Sequence, residues 1–204
     1  MKINELGEFG FINRIKEGCL VRSEGIIKAI GDDCAVLKST DGSAILLTTD
    51  MLVENVHFRC DRTTPFLLGR KSLAVNISDI AAMGGNPKEA LVAIAIPKQS
   101  EIEFLDGLYD GIKSIAAEYN INLLGGDTVS SPKNLVISIT LMGEAPEDEV
   151  LYRSGAAVGD IIFLTGTVGS SAAGLDIAGE KRRFDKKDLL LAAHFDPVPH
   201  VKAG

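Results

Sequence analysis

Apolar positions along the chain fall into short blocks whose spacing changes from block to block. Residues 24–37 (EGIIKAIGDDCAVL) and 43–50 (SAILLTTD) are aliphatic, β-branched runs broken by Gly and Asp, and they predict strands with functional ends. From Pro65 to Met83 the apolar residues recur near a 3.6 period, with Pro65 suited to a first turn and Gly84-Gly85 to a stop. That spacing predicts a helix of about five turns. Asn76 and Asp79, three apart, then share one face of a nearly all-apolar surface, where a carboxylate needs a partner. Residues 90–96 (ALVAIAI), closed by Pro97, predict a buried strand. Ser100 to Glu103 reads as a capping box opening a helix to about Tyr119. Residues 121–128 (INLLGGDT) and 135–144 (LVISITLMGE) predict two further strands.

This order implies an α+β (mixed α/β) architecture, a mixed sheet covered by helices. The acidic, Pro-bearing stretch 145–149 (APEDE) reads as a linker, dividing an N-terminal domain (1–148) from the start of a second α/β domain (149–204). In the second unit, residues 159–180 predict a strand, a Gly/Ser turn and a helix, followed by a charged stretch, 180–188, and an apolar segment, LLLAAHF. One strand and one or two helices cannot bury a core alone, so this unit reads as partial.

Composition narrows the function. With 46% hydrophobic and 24% charged residues the chain is an ordinary globular protein. Its 28 acidic against 21 basic side chains leave a net charge of -7, the wrong sign for neutralising nucleic-acid phosphates. The apolar runs are too short to cross a bilayer and the N-terminus carries no export signal, so the expected location is the cytoplasm. Cys19, Cys34 and Cys60 are widely spaced without a CxxC pair and read as buried or inert thiols. His57, His194 and His200 are equally scattered, which argues against histidine-rich metal chemistry.

The candidate chemistry is acidic. Asp32-Asp33, Thr48-Thr49-Asp50, Ser78-Asp79 and Gly125-Gly126-Asp127 each place Asp beside Gly, Thr or Ser at the end of an apolar run. Carboxylates converging from several such ends would form a hard, all-oxygen site suited to Mg²⁺ and phosphate oxygens. Turn or cap chemistry explains any one of these segments equally well. There is no P-loop, no G-x-G-x-x-G turn, no G-x-S-x-G elbow and no kinase catalytic-loop motif, so phosphate chemistry would need another scaffold.

The ordered segments LGEFGFINRI (6–15), GDDCAVL (31–37), LLTTDMLVENVHF (46–58), GRKSLAVNISDIAAMGGNP (69–87), LLGGDTV (123–129), RSGAAVGD (153–160) and LTGTVGSSAAGL (164–175) resemble the thiamine-monophosphate kinase family. That family shares an ATP-binding fold with aminoimidazole ribonucleotide synthetase and selenophosphate synthetase. The resemblance implies Mg²⁺-dependent transfer of the ATP γ-phosphate to thiamine monophosphate, giving thiamine diphosphate and ADP. By motif position it implies that Asp33, Asp50 and Asp79 bridge magnesium ions, with Thr48, Thr49 and Asp127 as further metal contacts. Tyr109, Gly126, Asp127 and Arg153 would meet ATP, and His57 would meet thiamine monophosphate. On the residues alone, His57 reads as a packed strand residue, Tyr109 as part of its helix's apolar face and Arg153 as a solvated linker charge. Asn76 is expected only to support Asp79.

The resemblance also implies a homodimer whose N-terminal sheets pair into a barrel. Asn55 stands where the family commonly has Gly, a mild change because Asn tolerates a left-handed backbone. The chain ends before the family's C-terminal S-D-G motif, so it is expected to be either a fragment of a longer enzyme or a catalytically incomplete nucleotide-binding dimer; a related ATP-dependent synthetase of the same superfamily is the other alternative to the kinase.

Overall fold

The computed structural model describes residues 2–40, 42–179 and 186–204. Its centre is a six-stranded sheet in the order β1-β2-β3-β6-β4-β5: β1 Ile26–Lys28, β2 Ala35–Lys38, β3 Ser43–Val53, β4 Asn86–Pro97, β5 Asn122–Ser131 and β6 Val136–Pro146. All neighbours are antiparallel except β4 and β5, which pair in parallel. A parallel pair needs a crossover, and helix α3 (Ile102–Glu118) supplies it.

Alternation along the central strands decides which face is buried. In β3, Ala44, Leu46, Thr48 and Leu52 point inward, and in β6 Ile137, Ile139, Leu141 and Ala145 do the same. This face packs on α2 (Pro65–Ala82) and α3, where Leu68, Leu73, Ile77, Ile80, Leu108 and Ile112 are almost fully buried. The two helices touch through glycines. A Cβ on Gly69 would lie 2.0 Å from the Leu108 carbonyl, and one on Gly111 would lie 2.0 Å from that of Phe66. The opposite sheet face is largely open, with Met51, Leu91, Leu124 and Val129 each about half exposed or more.

The start and stop of α2 follow the expected chemistry. Thr64 caps it by accepting from the Leu67 N–H at 3.2 Å, with Pro65 in the first turn. Gly84, at φ +73°, and Gly85 end it by donating to the Ala81 and Ile80 carbonyls at 3.0 and 2.9 Å.

Four expectations need correction. The capping box does not form: α3 begins at Ile102 after Glu101, without a side-chain cap, because Ser100 is engaged in a turn with Pro97. The stretch 145–149 is not all loop, since Ala145 and Pro146 finish β6 and Ala145 is buried, and Glu147–Glu149 form a short 3-10 turn. Residues 159–164 form no strand, because no strand lies beside them among the described residues, and Ile161, Ile162, Phe163 and Leu164 stay exposed. Finally, Ile3–Ile15 forms an unpredicted helix, α1, kinked at Gly7 and with none of its residues buried.

Beyond β6, α4 (Ser170–Ile177) and α5 (Lys187–Phe195) pack on each other, and the predicted charged stretch 180–188 lies mostly outside the described residues. The C-terminal segment then returns to the first layer. Arg70 of α2 holds Asp196 at 2.7 Å and Glu118 at 3.1 Å, and the Tyr119 hydroxyl donates to the Pro199 carbonyl at 3.0 Å.

Candidate functional site

Helix α2 runs antiparallel to β3, and that alignment builds an acidic cleft at one end of the sheet. Asp79, late in α2, accepts a 2.6 Å hydrogen bond from the Thr48 hydroxyl on β3. One turn earlier, buried Asn76 accepts from the Asp50 main-chain N–H at 3.0 Å and donates to the Ser72 carbonyl at 3.1 Å. Asn76 therefore anchors the backbone of Asp50, not the Asp79 carboxylate. The turn before β2 brings Asp32 and Asp33 to the same place, and Arg153 reaches across from beyond β6. Together with Thr49 these residues line a cleft of about 730 Å³.

The four aspartates are not equivalent. The Asp32 side chain is 1% exposed and fully used: it accepts from the main-chain N–H of Asp33 at 3.2 Å and of Arg153 at 3.3 Å, and pairs with Lys28 at 3.5 Å. It ties the turn before β2 to the segment carrying Arg153. Asp33 meets the Arg153 guanidinium directly. Asp50 makes no side-chain hydrogen bond among the described residues, and burial raises its carboxyl's pKa, opposed by nearby His57. Asp79 is pushed up to about 6, chiefly by burial and further by the charges of Asp50 and Asp33, with the Thr48 hydroxyl pulling the other way. A carboxylate made this uncomfortable by its neighbours is relieved by a cation.

Carboxylate and hydroxyl oxygens, without an available thiolate, suit a hard divalent ion. Cys34, beneath the cleft, is inert: burial and then the charges of Asp79, Asp33 and Asp32 push its thiol up to about 12. Cys60 is likewise raised, to about 11, whereas Cys19 is exposed. No three acidic, thiol or imidazole groups among the described residues stand close enough to share one ion. Any one ion in the cleft would therefore meet at most two such groups, which leaves room for phosphate oxygens and water in its coordination sphere.

Other predicted residues lie elsewhere. Gly126 and Asp127 are on β5, three strand spacings or about 14 Å from β3 in the same sheet. Gly126 is obligatory there, since a Cβ would meet the Val92 carbonyl at 1.7 Å. Asp127 projects to the open face, away from Asp50 and Asp79, because its row is Ala93, Ser138 and Met51. Tyr109 is half-buried against the core on α3 and does not line the cleft. His57 lies in the turn after β3, its Nδ1 accepting from the Val53 N–H at 2.9 Å, and lines a separate cavity. Asn55 opens that turn with φ +64°, as expected for a residue replacing Gly.

Sequence reasoning placed Asp32 in an acidic segment but assigned it no task. The signal was weak, because adjacent aspartates in one turn cannot be told apart until burial is known.

Fold and cleft define a class. The AIR synthase related protein family matches residues 31–145 through its N-terminal domain, more than half of the chain, and the chain belongs to that family. Within it, the chain is 38% identical to thiamine-monophosphate kinase of Bacillus subtilis over 203 residues, covering 98% of this chain and 62% of the relative. It is 36% identical to thiamine-monophosphate kinase of Aquifex aeolicus, covering 98% and 63%. The solved complex of AaThiL with AMPPCP and TMP superposes with a TM-score of 0.89 at 34% identity, covering 99% of this chain and 62% of that one. The chain thus spans about three fifths of the length of these relatives.

Proposed function

We propose that this chain forms the nucleotide- and metal-binding part of a thiamine-monophosphate kinase, which passes the terminal phosphoryl group of ATP to thiamine monophosphate and yields thiamine diphosphate and ADP. The observation that carries this reading is the convergence of Asp33, Asp50 and Asp79, with Thr48, in a cleft closed by Arg153. The likeness over nearly the whole chain to relatives of that name, and to a structure holding AMPPCP and TMP, supports the same substrates here.

Two polyanions must approach each other in this reaction, so the main barrier is electrostatic. Asp33, Asp50 and Asp79, with Thr48 and Thr49, would hold Mg²⁺, which supplies charge neutralisation and in-line alignment when bound. The protein's own groups do the rest. Asn76 fixes the backbone of Asp50, and Thr48 holds one oxygen of Asp79, while both residues line the cleft. Arg153 is held at the rim by its N–H to Asp32, and its guanidinium can exchange the Asp33 carboxylate for a phosphate of ATP. His57 contacts the acceptor from the turn after β3.

Gly126, Asp127 and Tyr109 act toward ATP or metal only if a second copy or further chain completes the site, and the open sheet face favours a homodimer paired through β4, β5 and their neighbours. In this reading residues 1–148 form the nucleotide, metal and dimerisation domain, and residues 149–204 begin the C-terminal α/β domain. No helix among the described residues is long and apolar enough to cross a membrane, and the proposed location is the cytoplasm.

The test is product formation by the native protein supplied with ATP, Mg²⁺ and thiamine monophosphate. Thiamine diphosphate and ADP should appear in equal amounts and vanish in Asp79→Asn. Turnover of an aminoimidazole precursor or selenide in place of thiamine monophosphate would instead establish a sister synthetase.

A further inference from the structure

The acidic cleft has one wall that the fold barely holds. Glu8, Phe9, Ile12, Asn13 and Ile15 of α1 line it together with Asp33, Asp50 and Asp79. Their spacing places all five on one side of the helix, a side that mixes apolar with polar residues.

No residue of α1 is buried, and Phe9 is 70% exposed although it lines the cleft. Every hydrogen bond that residues 2–20 make among the described residues stays within that stretch. Gly7, at φ +70° and ψ 175°, interrupts the helix, and Gly18, at φ +78°, follows it. A Cβ at either glycine would meet nothing within 4 Å, so both bends lie in open space. The part of α1 that faces the cleft is thus a short rigid piece, about 12 Å long, between two glycine turns. Elements with so few buried contacts open locally at low free energy, and lids over sites are drawn from them.

The content of the cleft is what could hold α1 down. At about 730 Å³ the space far exceeds one metal ion and matches small-molecule sites. Its aspartates suit Mg²⁺ and the phosphates that Mg²⁺ bridges, while Phe9, Ile12 and Ile15 offer apolar surface beside them. A magnesium-bound nucleoside triphosphate carries both kinds of surface. An exposed phenylalanine gains by covering such a ligand, and the covered phosphates lose the water that would compete with the acceptor.

We propose that α1 is a cover for the acidic cleft, which closes through Phe9 and Ile12 on a magnesium-bound nucleoside triphosphate and shuts water from its phosphates. The proposal rests on the kinase reading above.

Amide hydrogen exchange over residues 3–15 tests it, in the native protein and in Phe9→Ala and Phe9→Leu, with calorimetry of AMPPCP plus Mg²⁺ alongside. The segment should exchange quickly in the free protein, and saturating AMPPCP plus Mg²⁺ should slow it at least about tenfold. Mg²⁺ alone should not. Phe9→Ala should weaken AMPPCP binding about tenfold and abolish the slowing, with the metal-free melting temperature unchanged, and Leu should restore most of both. The chain has no tryptophan, so Phe9→Trp adds a single reporter whose emission should shift to the blue on closure. AMPPCP bound with Mg²⁺ but without slowing at α1 overturns the cover and leaves the kinase reading standing. Slowing that follows Mg²⁺ alone, or protein concentration, also overturns it, because the partner of α1 would then be the metal or a second copy. A native protein that binds no AMPPCP refutes the kinase reading, and the cover with it.

Discussion

Replacing Asp79 by Asn should stabilise the metal-free chain while removing its response to magnesium and nucleotide. The carboxyl rises from 3.8 to about 6, with burial as the largest cause and the Asp50 and Asp33 charges behind it. At about 1.4 kcal/mol per pH unit the full shift corresponds to roughly 3 kcal/mol. Asp79 is only partly buried and water screens part of that, so about 1–2 kcal/mol is the fair expectation. The sign follows from the direction of the shift. Because the folded state holds the proton more tightly than the unfolded state, Asp79 favours folding most below about pH 4, and that contribution is lost as pH rises through about 6. Asn keeps an oxygen for the Thr48 hydroxyl and carries no charge, so its advantage should be absent near pH 4 and complete above about pH 6.5. For a chain of this size each kcal/mol moves the melting temperature about 2–4 °C, giving a gain of roughly 2–8 °C at pH 7.5 in chelator. Magnesium with AMPPCP should then raise the parent's melting temperature and leave the variant's almost unmoved. A variant less stable than the parent at pH 7.5, or a difference independent of pH, would refute the reasoning.

Substitutions at three other positions probe separate parts of the structure. Gly69→Ala puts a methyl 2.0 Å from the Leu108 carbonyl, and forcing α2 from α3 should cost about 1–3 kcal/mol, read as a lower urea midpoint. Arg153→Ala should reduce AMPPCP affinity while leaving metal-free thermal stability close to the parent's, because its guanidinium bond to Asp33 is solvent-exposed; a large loss of stability instead would make Arg153 a structural tie. Asn55→Gly should be nearly neutral and Asn55→Ala destabilising by about 1 kcal/mol, since φ is +64° there; equal effects would contradict the backbone argument.

Alternation made β3 and β6 legible, because every second residue from Ala44 to Leu52 and from Ile137 to Ala145 faces the same helical layer. The bounds of α2 were legible from Thr64-Pro65 and Gly84-Gly85, where local chemistry and tertiary packing agree. Helix α1 was not, since a helix that buries nothing carries no apolar stripe to read. The run 161–164 shows the converse: a strand-like sequence needs a neighbour before it can form a ladder, and local composition does not report the neighbour. At the site, the repeated Asp segments pointed to convergence, and Asp33, Asp50 and Asp79 do converge. Asp127 carried the same local signature and lies across the sheet, because strand order is not encoded in the motif itself.

What separates a structural carboxylate from a working one here is how many of its lone pairs the fold satisfies. Asp32 is the most enclosed of the cleft's acids, yet two main-chain N–H groups and Lys28 occupy its oxygens, so little remains for a ligand. Asp50 and Asp79 have fewer partners and are pushed toward protonation, while Thr48 holds one oxygen of Asp79 and Asn76 holds the backbone at Asp50. The same logic distinguishes the cations at the other end of α2, where Arg59 is satisfied by Asp61 and Lys71 is left without an acceptor among the described residues. A single helix, pinned to β3 by fully buried Leu73, Ile77 and Ile80, therefore holds unsatisfied charge of one sign near its end and of the other near its start. The spacing between Lys71 and Asp79 is about 12 Å along the axis, too far for the two charges to pair with each other.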